Sequence, residues 1–189
     1  MNLFWKDKEQ QMLELFKKDP DRGMNKLYTE YADYLMGVCA RYIPDKDERK
    51  DVLQECFIKI FTQITQFEYK GKGALKAWIT RIAINEALLS LRKEKQRAIV
   101  SYEEERLADL PEEEPEVTGL SAKDIIGLIQ QLPDGYRAVF NLYAIEGKSH
   151  KEIAEILHIK ADSSASQYHR AKQMMAKLIK EFKTKQSYR

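Results

Sequence analysis

GKSHKEIAEILHIKADSSASQYHRAK, residues 147–172, decides the fold, because it reads as two short helices joined by a tight turn. Ser149 is a residue type that caps a helix start by accepting an orphan backbone N–H, and Ile153, Ala154 and Leu157 then recur at helical spacing. In the second helix Ser164, Tyr168, Ala171, Met175 and Leu178 follow steps of four, three, four and three, which predicts one buried stripe. That leaves Ser163, Ser166, Gln167 and Arg170 on the opposite face. A short polar face ending in a cation, on a helix anchored by its other side, is what a DNA major groove can receive.

Outward from this unit, the chain has more material than one helix-turn-helix requires. Its 189 residues suit two small domains, and 43% hydrophobic with 33% charged residues describes a helix-rich protein. Eight Gly and five Pro leave little for the turns of an all-β fold. The formal charge of +2 is unevenly spread. Residues 1–97 hold 19 Lys/Arg against 15 Asp/Glu, residues 98–122 hold 1 against 8, and residues 123–189 hold 12 against 7. The fold class expected is therefore all-α, with a helical domain over 1–97, an acidic linker over 98–120 and a second helical domain over 121–189.

The N-terminal half carries a modest helical pattern over 8–18, closed by Asp19-Pro20-Asp21 and Gly23, then helices expected over Met24–Ile43, Asp45–Phe67 and Ala74–Lys95. The second of these has an apolar face, Val52, Leu53, Cys56, Phe57, Ile60, Phe61 and Ile64, and a polar strip with Asp51, Gln54, Glu55, Lys59 and Gln63. The strip reads either as solvated surface or as a docking face. Between helices, QFEYKGKG (residues 66–73) mixes Phe67 and Tyr69 with Lys70 and Lys72. Such a loop either folds its aromatics back into the core or offers stacking and phosphate neutralisation to an unpaired base. The following helix presents Trp78, Arg81 and Asn85 and ends in a basic cluster, which also suits a helix C-terminus.

Residues 101–116, SYEEERLADLPEEEPE, form an acidic, proline-containing tether, either a spacer alone or also a nucleic-acid mimic. Helical patterning returns at Ser121, where Asp124 completes a helix-start box, and again from Arg137 to Ala144.

These motifs, in this order, resemble the extracytoplasmic-function sigma factors of the sigma-70 family. DVLQECFIKIF (51–61) looks like the helix that docks on the RNA polymerase clamp, and Trp78-Ile79 with Ile82-Ala83 and Asn85 is similar to the promoter-melting signature. LPDGYRAVFNLY (132–143) resembles the opening of the fourth conserved region. The chain departs from the family pattern at Leu89, where an acidic residue is usual, and at Ser163-Ser164-Ala165, where Thr-Val-Lys/Arg is usual. His158 stands at the turn in place of the usual Gly, which implies a turn that does without positive φ or a strained one.

The resemblance implies a promoter-specificity subunit. Asp51, Gln54, Glu55 and Lys59 would bind core RNA polymerase. Phe67, Tyr69, Lys70, Lys72, Trp78, Arg81 and Asn85 would capture the minus-ten element. Ser163, Ser166, Gln167, Arg170 and Lys172 would contact the minus-thirty-five element, the serine and lysine at the ends on phosphate, the others on base edges. An anti-sigma factor is an implied partner. No cofactor, metal or small-molecule substrate is expected: the three histidines lack metal spacing, and no phosphate-cradling glycine loop or nucleophile elbow is present. Cys39 and Cys56 sit in apolar helical patterns as core thiols. The charged start and the lack of a long apolar run predict a cytoplasmic protein. Competing readings are a two-domain DNA-binding regulator that never touches polymerase and a helical protein-interaction adaptor.

Overall fold

The structure, a computed structural model, describes residues 7–97 and 118–187. Among the described residues the chain forms helices and no strand, and it divides into two compact units, Met1–Lys93 and Glu94–Arg189. The expected acidic tether, residues 101–116, lies outside the described residues, as does the side chain of Lys95.

In the N-terminal unit each early helix starts on an aspartate. Asp7 accepts from the Gln10 N–H at 2.9 Å to open α1 (Lys8–Lys18). Asp19 accepts from Arg22 at 3.1 Å to open α2 (Pro20–Ala40), and Asp45 accepts from Asp47 and Glu48 at 3.0 and 2.8 Å to open α3 (Lys46–Gln63). The Asp19-Pro20-Asp21 stretch is therefore a helix start, with only Asp19 between α1 and α2. Proline in the first turn loses no hydrogen bond, since that N–H would have had no partner in the helix. Gly23 lies inside α2, not in a break. It is buried against Phe16 of α1, and a Cβ there would stand 2.6 Å from the Phe16 Cγ, so glycine is what lets the two helices approach.

The core of this unit buries Leu27, Leu35, Val38, Cys39, Tyr42 and Ile43 from α2 and its exit, with Val52, Cys56 and Ile60 from α3. The remaining helix, α4 (Ala74–Arg97), adds Leu75, Ile79, Ala83 and Ala87. Cys39 and Cys56 are both free and fully buried, and the neighbouring Cys39 thiol, with burial, holds Cys56 well above its ordinary value. These are inert core groups. Polar ties bind α4 to α2 and α3: Lys59 pairs with Glu86 at 2.6 Å, Ser90 donates to Glu48 at 2.5 Å, and the Tyr34 hydroxyl meets Thr80 at 3.0 Å.

The C-terminal unit comprises α5 (Ala122–Ile129), α6 (Asp134–Phe140), α7 (His150–Leu157) and α8 (Ala161–Ser187). Ser121 and Asp124 form the expected reciprocal box at the start of α5, and Ser149 and Glu152 form a second at α7. Leu128, Ile129 and Leu132 pack against Ala171, Met175 and Ile179 of α8, so the far half of the long last helix belongs to the core. The helix expected from Arg137 to Ala144 instead starts at Asp134 and passes into a π turn over Asn141–Ile145. Buried Arg137 fastens the α5–α6 corner by donating to the Leu132 carbonyl at 2.6 Å and pairing with Asp134. At the α7–α8 turn His158 takes the left-handed conformation, φ 54° and ψ 47°. The strained alternative is the one realised, and it lets the Ile159 N–H reach the Ala154 carbonyl at 3.1 Å.

Candidate nucleic-acid and partner interfaces

On α3 the helical step decides which side chains share a face. Asp51, Gln54, Ile58 and Phe61 follow steps of three, four and three and form one outward stripe. Ile58 is 48% and Phe61 42% exposed. Phe61 does not belong with the buried set, since it lies about 100° from Ile60 on the helix wheel in a sense that carries it out of the core. Glu55 is exposed beside this stripe. Lys59 follows Glu55 by one turn, with its side chain 40% exposed, and is held by an ion pair with Glu86 at 2.6 Å. Tyr28 is 53% exposed and its ring lies against Phe57 at 4.8 Å between centroids.

The loop before α4 is more constrained than its composition suggests. Gly71 and Gly73 take positive φ, 122° and 88°. Phe67 folds onto Trp78, with ring centroids 5.0 Å apart, so these two form a half-buried aromatic platform. The Tyr69 hydroxyl donates to the Asp7 carboxylate. That bond pushes the tyrosine up to about 12 and holds Asp7 below the usual carboxylate range. Tyr69 is thus pinned to the start of α1 and is not a freely splayed aromatic. Lys70 and Lys72 of this loop and Arg81 and Asn85 of α4 are exposed.

The start of α4 is held by a group that no local pattern singles out. Gly73, whose carbonyl accepts the first helical bond from Ala77, has no side chain with which to cap. Glu9 of α1, only 7% exposed, supplies the missing acceptor: its carboxylate takes the N–H groups of Gly73, Leu75 and Lys76 at 2.9, 3.2 and 3.1 Å. A carboxylate at this end also meets the positive pole of the helix dipole.

On α8 the stripe of Ser164, Tyr168, Ala171 and Met175 turns inward as expected, Ile179 extending it, while Leu178 is half-buried. Ser164 is fully buried and bonds His150 Nδ1 at 3.0 Å, tying the two helices of the unit together. Tyr143, His150 and Tyr168 stack beside this bond, with Tyr143 centroids at 4.5 Å from His150 and 4.2 Å from Tyr168. Burial raises the Tyr168 hydroxyl above its ordinary value.

The outer face differs from the expected one. Ser166 is exposed and donates back to the Asp162 carbonyl at 2.9 Å. Gln167 and Arg170 are half-buried on the flank facing α6. A Cβ on Gly135 would meet Gln167 Oε1 at 3.3 Å, and Arg170 donates to the Tyr136 hydroxyl at 3.3 Å. The cause is angular: Gln167 lies about 60° and Arg170 about 120° from Ser164, short of the opposite face. Ser163 is half-buried, Lys172 is exposed with its Nζ 5.5 Å from the Tyr168 ring centre, and His169 joins Ser166 on the open side.

Both units match known sequence families. The family model described as Sigma-70 region 2 matches residues 27–97, and that described as Sigma-70, region 4 matches residues 122–175. The chain belongs to the sigma-70 family. This sigma factor is 28% identical over 186 residues to the RNA polymerase sigma-H factor of Pseudomonas aeruginosa, an alignment covering 92% of this chain and 94% of that protein. It is 29% identical to the ECF RNA polymerase sigma-E factor of Escherichia coli K12 (87% of this chain, 91% of that one) and 29% identical to the ECF RNA polymerase sigma factor SigW of Bacillus subtilis (80% and 86%). Among solved structures, the sigma factor RpoE in the co-crystal structure with the anti-sigma factor NepR from Bartonella quintana is similar in fold. It has a TM-score of 0.50 at 20% identity, covering 82% of this chain and 96% of that one. Transcription initiation as an RNA polymerase sigma factor of the extracytoplasmic-function type is accordingly the function of this protein, with core RNA polymerase and promoter DNA as its partners. The regulator that never meets polymerase and the adaptor are set aside, because the matched families cover both units. Among the described residues no helix is long and apolar enough to cross a membrane.

Proposed function

We propose that the two units divide the promoter between them, residues 1–97 serving polymerase docking and the minus-ten element, residues 98–120 the tether, and residues 121–189 the minus-thirty-five element. The α3 stripe is the docking face. Exposed Ile58 and Phe61 supply the apolar centre, and Asp51, Gln54 and Glu55 supply orientation at its margin. Lys59 acts indirectly, by holding α3 to α4 through Glu86.

The minus-ten reading rests on one observation above the others: Phe67 and Trp78 form a half-buried platform, and Lys70 and Lys72 of the same loop and Arg81 and Asn85, one and two turns on along α4, are exposed. A base extracted from the duplex loses stacking and pairing, and an aromatic face with neighbouring cations and an amide offsets that loss. Tyr69 shapes the loop through Asp7 instead of stacking on a base.

In the C-terminal unit the outward serine Ser166 and the flank residues Gln167 and Arg170 read base edges, while Ser163 and Lys172 take phosphates. Gln167→Ala is expected to cost about 1–3 kcal/mol at one base position. Run-off transcription with bacterial core polymerase, on promoters selected from a random library, is the measurement; equal loss on every promoter variant refutes the base contact. The same assay tests the whole reading, since a chain that never supports initiation with core enzyme is not acting in this way. An anti-sigma factor covering the α3 stripe, a cytoplasmic location and the absence of any catalytic role complete the proposal. They are supported by the exposed apolar pair on α3 and by the family's character as initiation factors.

A further inference from the structure

We infer that α1 is part of the apparatus that reads the minus-ten element, with Glu9 as a positioning residue that sets the shape of the base-capturing loop from outside it. The inference rests on the minus-ten reading above. Its basis is a division of labour in the hydrogen bonds. The loop from Phe67 to Gly73 carries the aromatic platform and two exposed lysines, yet it has no capping side chain of its own where it enters α4. Gly73 and Gly71 at positive φ give the turn its path, and the Gly71 carbonyl closes it by accepting from the Ala74 N–H at 3.0 Å, but neither glycine offers a side chain to hold the remaining N–H groups. The loop backbone at that point is held by Glu9, more than sixty residues away in sequence, which accepts from Gly73, Leu75 and Lys76. Asp7, two residues earlier, binds the Tyr69 hydroxyl in the middle of the loop. α1 thus grips the loop at two points.

The grip has a direct bearing on Trp78. One turn of helix separates the Glu9-bound N–H groups of Leu75 and Lys76 from Trp78, whose ring carries Phe67. If Glu9 lets go, the first turn of α4 frays, and Trp78, Phe67 and the adjacent cations lose their fixed relation. A base pocket loosened by even about 1 Å loses rate and selectivity far more than overall attachment. The bonds of Asp7 and Glu9 run to the loop and to the first turn of α4, not to the α3 docking stripe, so polymerase binding and base selection should separate.

The test uses the full chain reconstituted with core RNA polymerase and a promoter library randomised at the minus-ten element. For Glu9→Ala, the preference for the best base at the extracted position should fall by about tenfold, while affinity for core polymerase stays within about twofold. Glu9→Gln keeps one acceptor oxygen and should fall between the two, and Tyr69→Phe should shift the preference in the same sense by less. Two results overturn the inference: a parallel loss of core binding and base preference, which a generally loosened domain produces, or an unchanged preference. Should Glu9→Ala not fold, Glu9→Gln and Tyr69→Phe are judged by the same ratio. Phe67→Ala and Lys70→Ala separate the two levels of argument. If they leave promoter opening unchanged, the minus-ten reading itself fails; if they impair it and the Glu9 variants do not, only the role of α1 falls.

Discussion

The two units cap helices alike at α1, α2, α3, α5 and α7, with a side chain at the helix start, and part company at α4. In the C-terminal unit the caps are local: Ser121 with Asp124 and Ser149 with Glu152 each close a box within one turn. In the N-terminal unit α4, which carries the proposed melting residues, begins on a glycine and is capped by a glutamate from α1. A local cap makes a helix that forms on its own sequence. A remote cap makes a helix start that exists only when the domain has assembled, and this couples the loop beside it to the packing of α1.

The most damaging single change to this contrast is the removal of the remote cap. Glu9→Ala leaves three N–H groups without their charged acceptor and is expected to cost about 2–3 kcal/mol in urea unfolding of the N-terminal unit. A value below that of a local cap would show that water replaces Glu9 readily. The local caps come next: Ser121→Ala and Ser149→Ala should each cost about 1 kcal/mol, and the double variant should lose close to the sum, because the boxes share no residue. Strong non-additivity, seen in the same melts, would break the claim that they act independently.

His158→Gly relieves a left-handed backbone and is expected to add about 1 kcal/mol to the C-terminal unit by thermal melting, less the entropy glycine gains on unfolding. The acid limb should show the smallest effect. Asp124, held down by the Ser121 hydroxyl, and Glu152, held down by the Ser149 backbone and side chain, are both lowered from their ordinary values. A depressed carboxylate contributes stability above its unfolded value, near about 4, and that stability is lost as pH falls through the lower folded value. Helix content followed by circular dichroism should therefore decline on acidification below that range, and Ser149→Ala should flatten the decline. An unaltered acid limb would mean that the box carries no linkage.

What could be read from the amino-acid string follows the same division. The helix-turn-helix, the box at Ser121 and the inward stripe through Ser164 and Met175 were legible because their partners lie three or four positions away. The start of α2 was misread at Pro20 because proline both ends helices and opens them, and only the Asp19 cap distinguishes the two uses. Gln167 and Arg170 were placed on the far face although a count of about 100° per residue already sets them on the flank. Ile58 and Phe61 could have been seen as a continuation of Asp51 and Gln54, had the exposed stripe been traced by step and not by polarity. The clasp of Glu9 on α4 had no local signal at all. An acidic residue in the first turn of α1 suits that helix's own dipole, and its actual partners are 64 to 67 positions on.

The contact between Gly23 and Phe16 gives this arrangement a mechanical sensitivity. Because a Cβ at position 23 would collide with both the ring and the Cα of Phe16, even an alanine there must lever α1 away from α2. The displaced helix carries Asp7 and Glu9 with it, so one methyl group placed on the inner side of the domain would slacken a loop on its outer side without touching any residue proposed to meet DNA.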